Sequence, residues 1–163
     1  RPVIFSSDYE NMLSPEELDR AAVHALEQIS GIQSFRLTNR IRTNAEISSF
    51  IQNMMCLPER KKGRHFPHVT VMYANDDREA DVLLSDAQHQ GYQVILNEAE
   101  PAICADRLAM VLDQRYFYDR QNYLRSDDRS VRRLFHQLNG AKEELLLVVK
   151  QNEPFYTVLL DLL

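Results

Sequence analysis

The sequence predicts an α/β protein, a three-layer sandwich built on a mostly parallel sheet. Two observations lead there. Short apolar runs of strand length alternate along the chain with segments whose apolar residues recur every three to four positions. The helical segments between the strands are long enough for crossover connections, which place strands side by side in parallel with helices on both faces.

Taken in order, residues 3–7 read as a buried strand. Residues 14–30 read as a helix, with Ser14 as N-cap, Pro15 at the first helical position, Glu17 three residues after the cap and Gly31 as the stop. A strand at 34–37 precedes a helix at 44–55, where Ile47, Phe50, Ile51 and Met54 share one face. Residues 58–67 form a polar, basic loop. A strand at 69–74 leads to a helix at 77–90 with Ala80, Leu83, Leu84 and Ala87 inward, ended by Gly91. Strands follow at 92–96 and 108–112, and the polar, aromatic stretch 116–127 is a loop or hairpin. A helix at 129–138, a strand at 145–149 and a closing helix at 154–163 complete the chain. There is no internal repeat and no low-complexity tract.

Composition bounds the function. The chain has 163 residues, 44% hydrophobic and 26% charged, as an ordinary globular domain has. No apolar run approaches the ~20 residues of a membrane span, so no membrane partner is expected. It opens on Arg1-Pro2-Val3-Ile4-Phe5, which reads as the cut edge of a longer protein. Two cysteines, Cys56 and Cys104, make no disulfide framework, and a cytoplasmic setting is the expectation. The net charge of −5 is uneven: residues 1–30 carry −4, 31–68 carry +5, 69–113 carry −7 and 114–163 carry +1. That balance argues against a general polyanion binder while leaving one basic segment able to touch phosphate.

Most enzyme signatures are missing. The chain has no GxxxxGK[ST] loop, no GxGxxG, no CxxC and no HExxH. His65 and His68 lie in a basic loop, where solvation is the plainer reading than metal binding. Cys104 has no sequence neighbour that would lower its pKa, so an inert thiol is expected.

Four segments carry more. They are Phe5-Ser6-Ser7-Asp8-Tyr9-Glu10-Asn11-Met12-Leu13; Leu37-Thr38-Asn39-Arg40-Ile41-Arg42-Thr43-Asn44; Met110-Val111-Leu112-Asp113-Gln114-Arg115-Tyr116-Phe117-Tyr118-Asp119; and Leu138-Asn139-Gly140-Ala141-Lys142-Glu143-Glu144-Leu145. In order and spacing they resemble the C-terminal half of superfamily 1 helicase-like ATPases, in particular a bacterial and viral group of P-loop NTPases of unknown function with Schlafen-like relatives. The resemblance implies a RecA-like (P-loop NTPase-like) fold. It implies a protein in which two such domains clasp ATP, the first holding the P-loop and magnesium ligands and the second supplying arginines.

Under that resemblance, residues 1–30 are the end of the first domain with its connecting helix, and 31–163 are the second domain. Asp8 and Asn11 match the motif that ends the first domain, where Asn11 stands in place of the family's Gln. Arg40 and Arg42 match the motif that opens the second, with Arg42 at the γ-phosphate position and therefore the candidate catalytic residue. A guanidinium at a strand end beside a helix N-terminus suits an anion. Its other role, pairing with a carboxylate on a neighbouring helix, stays open.

The departures are equally specific. The family's last motif has Thr-Arg-Ala where this chain has Asn139-Gly140-Ala141, so a second arginine finger is missing. Such a finger supplies a factor of roughly 10³–10⁵ in phosphoryl transfer. Lys142 lacks the planar fork that would replace it. A Gly-x-Glu pair expected before the strand at 108–112 is replaced by Ala102-Ile103-Cys104. In the basic loop, Arg60, Lys61, Lys62 and Arg64 are candidate contacts to a nucleic-acid backbone, weighed against a merely solvated loop. Tyr116, Phe117, Tyr118 and Tyr123, interleaved with Arg115, Arg120 and Arg125, offer stacking platforms or pack a hairpin on the sheet, and packing is favoured.

The expected protein is thus the second domain of a DNA or RNA helicase-like ATPase, inert alone. It would hold no cofactor itself, would share ATP and Mg with an upstream RecA-like domain of the same chain, and would touch single-stranded nucleic acid. A non-catalytic α/β interaction module is the alternative. An unrelated flavodoxin-like or response-regulator-like domain is a third reading, decided by sheet order.

Overall fold

The computed structural model describes residues 44–60, 63–96, 102–126 and 131–163. The expected elements at 3–7, 14–30 and 34–37, and the domain boundary at 30/31, lie outside the described residues.

Helix α1 (Ala45–Met55) begins where Asn44 supplies its side chain as N-cap, accepting from the Glu46 amide at 2.9 Å. Its apolar stripe, Ile47, Phe50, Ile51 and Met54, is fully buried. A 3-10 turn at Leu57–Glu59 opens the basic loop. Strand β1 (Val69–Ala74) leads into α2 (Asp77–His89), capped by Asp76. That helix ends in a Schellman motif: Gly91, at φ +89°, donates to the Gln88 carbonyl and Tyr92 to the Ala87 carbonyl. Strands β2 (Gln93–Ile95) and β3 (Ala105–Leu112) follow. Within the expected loop or hairpin at 116–127, the described residues 116–126 form an antiparallel hairpin, β4 (Tyr116–Tyr118) with β5 (Leu124–Ser126). Helix α3 (Val131–Leu138), strand β6 (Ala141–Lys150) and helix α4 (Glu153–Leu162) end the chain.

Four parallel strands form one sheet in the order β1-β6-β3-β2. Strand β6 lies inside it, with Leu145 beside Val69 on one flank and Leu108 on the other. Its run Leu145–Leu146–Leu147–Val148–Val149 is buried along its whole length, as a strand covered on both faces must be. Alternation then splits the core. Leu146, Val148, Ala109 and Ala74 meet Ala80, Leu84 and Ala87 of α2, where small side chains let the helix approach closely. The opposite face of the sheet is covered by α1, α3 and α4, which also pack on one another. The protein is therefore an α/β fold with a parallel sheet between helical layers, consistent with a RecA-like sandwich.

Two strands run longer than their apolar patterns foretell. Strand β3 starts at Ala105 and β6 at Ala141: Ala105 pairs with Ala141 and Arg107 with Glu144 across a register shift, while Asp106, Arg107, Lys142 and Glu143 are exposed at the sheet's amino-terminal edge. In this order the earliest described strand is hydrogen-bonded directly to the latest. No four adjacent strands of the flavodoxin order 2-1-3-4-5 have that property, which excludes the flavodoxin-like and response-regulator-like reading.

Candidate functional site

Ligands of open parallel sheets bind at the carboxyl ends of the strands. Among the described residues that rim is built by the exits of β1, β6 and β3. Leaving β1, Asn75 donates its amide and its Nδ2 to Glu79 Oε2 at 2.7 and 2.8 Å, and the Glu79 amide donates to Asp76 Oδ1 at 2.8 Å. Asp76, Asp77 and Glu79 thus crowd the start of α2 and complement its dipole themselves. A phosphate arriving there would meet carboxylates instead of open amides.

Leaving β6, Lys150 donates from Nζ to Asp77 at 2.6 Å. Gln151 then adopts a left-handed backbone, φ +52°, and donates its amide to the Ala74 carbonyl, tying the exits of β6 and β1 together. The next residue, Asn152, accepts from the Phe155 amide to cap α4 while its Nδ2 donates to the carbonyls of Asp113 and Tyr116. One side chain thereby joins the exits of β6 and β3. The signal for it was legible: an Asn followed by Glu153 and Pro154 after a strand is a helix start.

Leaving β3, the Asp113 carboxylate accepts from Arg115 Nε with both oxygens, at 3.0 and 3.1 Å, and from the Arg115 amide at 3.0 Å. Burial opposes ionisation of Asp113, but these hydrogen bonds, with the attraction of Arg115 and Lys150, outweigh it and hold the carboxyl below its usual range. A carboxyl depressed on folding contributes stability above its unfolded pKa and loses it as pH falls through the folded one. The Tm gap between the wild type and Asp113→Asn is therefore expected at pH 7 and should shrink below about pH 4. A gap that widened on acidification would overturn this account of the pair.

Two described cations of the rim, Lys150 and Arg115, are thus engaged by carboxylates. An anion binding to either would have to compete with Asp77 or Asp113. Among the described residues no group of three His, Cys, Asp or Glu side chains is placed to hold a metal ion, and no helix is long and apolar enough to cross a membrane.

Of the residues singled out by sequence, Asp8, Asn11, Arg40, Arg42, Lys61 and Lys62 lie outside the described residues. Arg60 is exposed at the end of the 3-10 turn. Arg64 is exposed and donates from Nη1 to Ser49 Oγ at 2.8 Å, laying the loop over α1. The loop's far end is fastened by His68, whose amide donates to Glu46 and whose Nδ1 lies 3.0 Å from that carboxylate.

Gly140 lies at the amino-terminal edge of the sheet, opposite the rim just described. A Cβ on it would stand 1.9 Å from the Ile103 carbonyl oxygen. The position read as a vacated arginine finger is a close backbone approach that admits glycine. Lys142 pairs there with Asp106 at 3.4 Å. Nearby, Glu144 accepts from Tyr92 Oη at 2.5 Å and from Arg107 at 2.9 Å, locking the starts of β2, β3 and β6. Burial and this carboxylate push the Tyr92 hydroxyl up to about 12.

Fold and rim together define a parallel α/β sandwich whose described carboxyl edge is internally ion-paired. Comparison with protein-family models, with curated proteins and with solved structures returns no match.

Proposed function

We propose that this chain is the second, RecA-like lobe of a helicase-like nucleotidase, inert alone and completed by an upstream lobe that holds ATP and Mg. The observation that supports it best is the parallel sheet between helical layers, with Asn44 capping α1 directly after the Arg40–Arg42 motif. A helix start two residues after Arg42 in the sequence would lend partial positive charge to an anion bound there.

The test uses the protein carrying its upstream residues and a fluorescent ATP analogue. Arg42→Ala is expected to weaken binding by about tenfold or more, since a charge-assisted contact to phosphate is worth roughly 1.5–3 kcal/mol. Unchanged affinity would remove Arg42 from the site and with it this reading. A second reading, a non-catalytic interaction module, is favoured by the rim itself, where Asp77 and Asp113 occupy the cations a phosphate would need.

A further inference from the structure

The four-stranded sheet ends on unequal outer strands. On one side β2 is three residues long, and shortness is one way in which an edge is kept from pairing with other chains. On the other, β1 presents six residues with no charge, no proline and no break in its register with β6. Among the described residues nothing pairs with its outer edge. The backbone groups on that edge follow from the pairing of β1 with β6. The Leu145 amide donates to the His68 carbonyl and the Gln151 amide to the Ala74 carbonyl, so His68, Thr70, Met72 and Ala74 turn their backbone groups toward β6. Val71 and Tyr73 therefore turn theirs outward. The outward amides at either end, of Val69 and Asn75, are taken by the Phe66 carbonyl and Glu79.

Side chains leave the same edge open. Met72 is 38% exposed, and Thr70 is exposed beside it on the face where Ala74 meets α2. On the other face Tyr73 lies 5.2 Å from the ring of Tyr156 on α4, and Leu160, one turn further along that helix, is exposed. An edge strand that offers a methionine and no lysine is a template for another strand. Charge selects which strand. Residues 59–68, which lead into β1, carry +3, and residues 75–81, which leave it, carry −3. Glu46, bound to His68, and Lys150, bound to Asp77, trim these charges without reversing either. A second copy running antiparallel sets each flank beside its opposite, whereas a parallel copy would set like beside like.

We propose that β1 pairs with β1 of a second copy across a twofold axis, joining two sandwiches through one continuous sheet. Only one register lets Val71 and Tyr73 exchange both of their hydrogen bonds with each other. That register sets Met72 against Met72 on the axis and His68 against Asp76. The two Met72 residues then form a non-hydrogen-bonded pair, with Cα atoms roughly 4.5 Å apart and their thioethers covering one another. The proposal uses neither Arg42 nor a nucleotide and stands apart from the nucleotide-clamp reading.

Sedimentation equilibrium of the full chain at micromolar concentration is expected to give twice the 19.0 kDa of one copy, with association weakening as salt is raised. Met72→Lys sets two like charges face to face and should weaken association at least about tenfold, with the circular dichroism of the wild type retained. Met72→Leu should preserve the dimer. In a background of Cys56→Ser and Cys104→Ser, Met72→Cys should form a disulfide between copies on mild oxidation. Thr70→Cys should not, because Thr70 faces Ala74 and stands roughly 13 Å from its own twin. A monomer throughout the range, a dimer that survives Met72→Lys unchanged, or equal crosslinking from Thr70→Cys would overturn the proposal. A monomer whose Val71 and Tyr73 amides resist hydrogen exchange would also overturn it, and would assign the edge to another segment of the same chain.

Discussion

Replacing Gly140 by alanine should lower the Tm by roughly 6–12 °C, the consequence of about 3 kcal/mol in a domain of this size. The atom that a Cβ would strike, 1.9 Å away, is the backbone oxygen of Ile103, and the Gln137 carbonyl oxygen follows at 3.0 Å. Neither can swing aside as a side chain could. Moving them disturbs two hydrogen bonds, Ala105 N–H to the Gly140 carbonyl at 3.0 Å and Gly140 N–H to the Gln137 carbonyl at 2.9 Å. The first starts the pairing of β3 with β6, and the second closes α3. Gly140→Arg should be at least as damaging and should add no arginine-finger activity, because the side chain would leave from the amino-terminal edge. Thermal unfolding followed by circular dichroism decides it: a Gly140→Ala variant melting with the wild type would refute the close approach.

Phe155→Ala is the second large effect, about 3–5 kcal/mol. Phe155 is 2% exposed at the first turn of α4, with Tyr116 stacked on it and Tyr118 tilted against it. Its removal leaves a cavity bounded by two rings and deprives the hairpin of the anchor that orients its outer face. Hydrogen exchange at the amides of β4 and β5 should accelerate more than exchange in β6, which is held by parallel pairing to β1 and β3 on both flanks. Phe155→Leu, which refills part of the space, should recover a large share of the loss. Equal acceleration in β6 and the hairpin would show that Phe155 supports the whole sandwich instead of this attachment.

Much of the fold was readable because its elements obey local rules. The strand at 69–74 and the start of α1 at Asn44 coincide with their expected places, and each rests on a strong signal, an alternating apolar run or a side-chain cap. The amino-terminal halves of β3 and β6 were not readable, since polar residues such as Arg107 and Glu144 hide a strand that is exposed at its start. The site was less legible than the fold. Asp113 and Arg115 stood in a quoted motif, yet their mutual pairing depends on a turn that sequence does not specify. The two faces of the hairpin could be told apart only once Phe117 was known to oppose Arg125. Gly140 was read as a chemical loss when its reason is steric, because the carbonyl it accommodates belongs to a residue far along the chain.

The position of β6 also sets the order in which the molecule can be assembled. Val69 cannot meet its neighbour Leu145 until most of the chain has left the ribosome, so β1 waits with an open edge while the intervening segments form. Such non-local pairing makes for slow maturation and a window in which chaperones or misassembly compete for the nascent polypeptide.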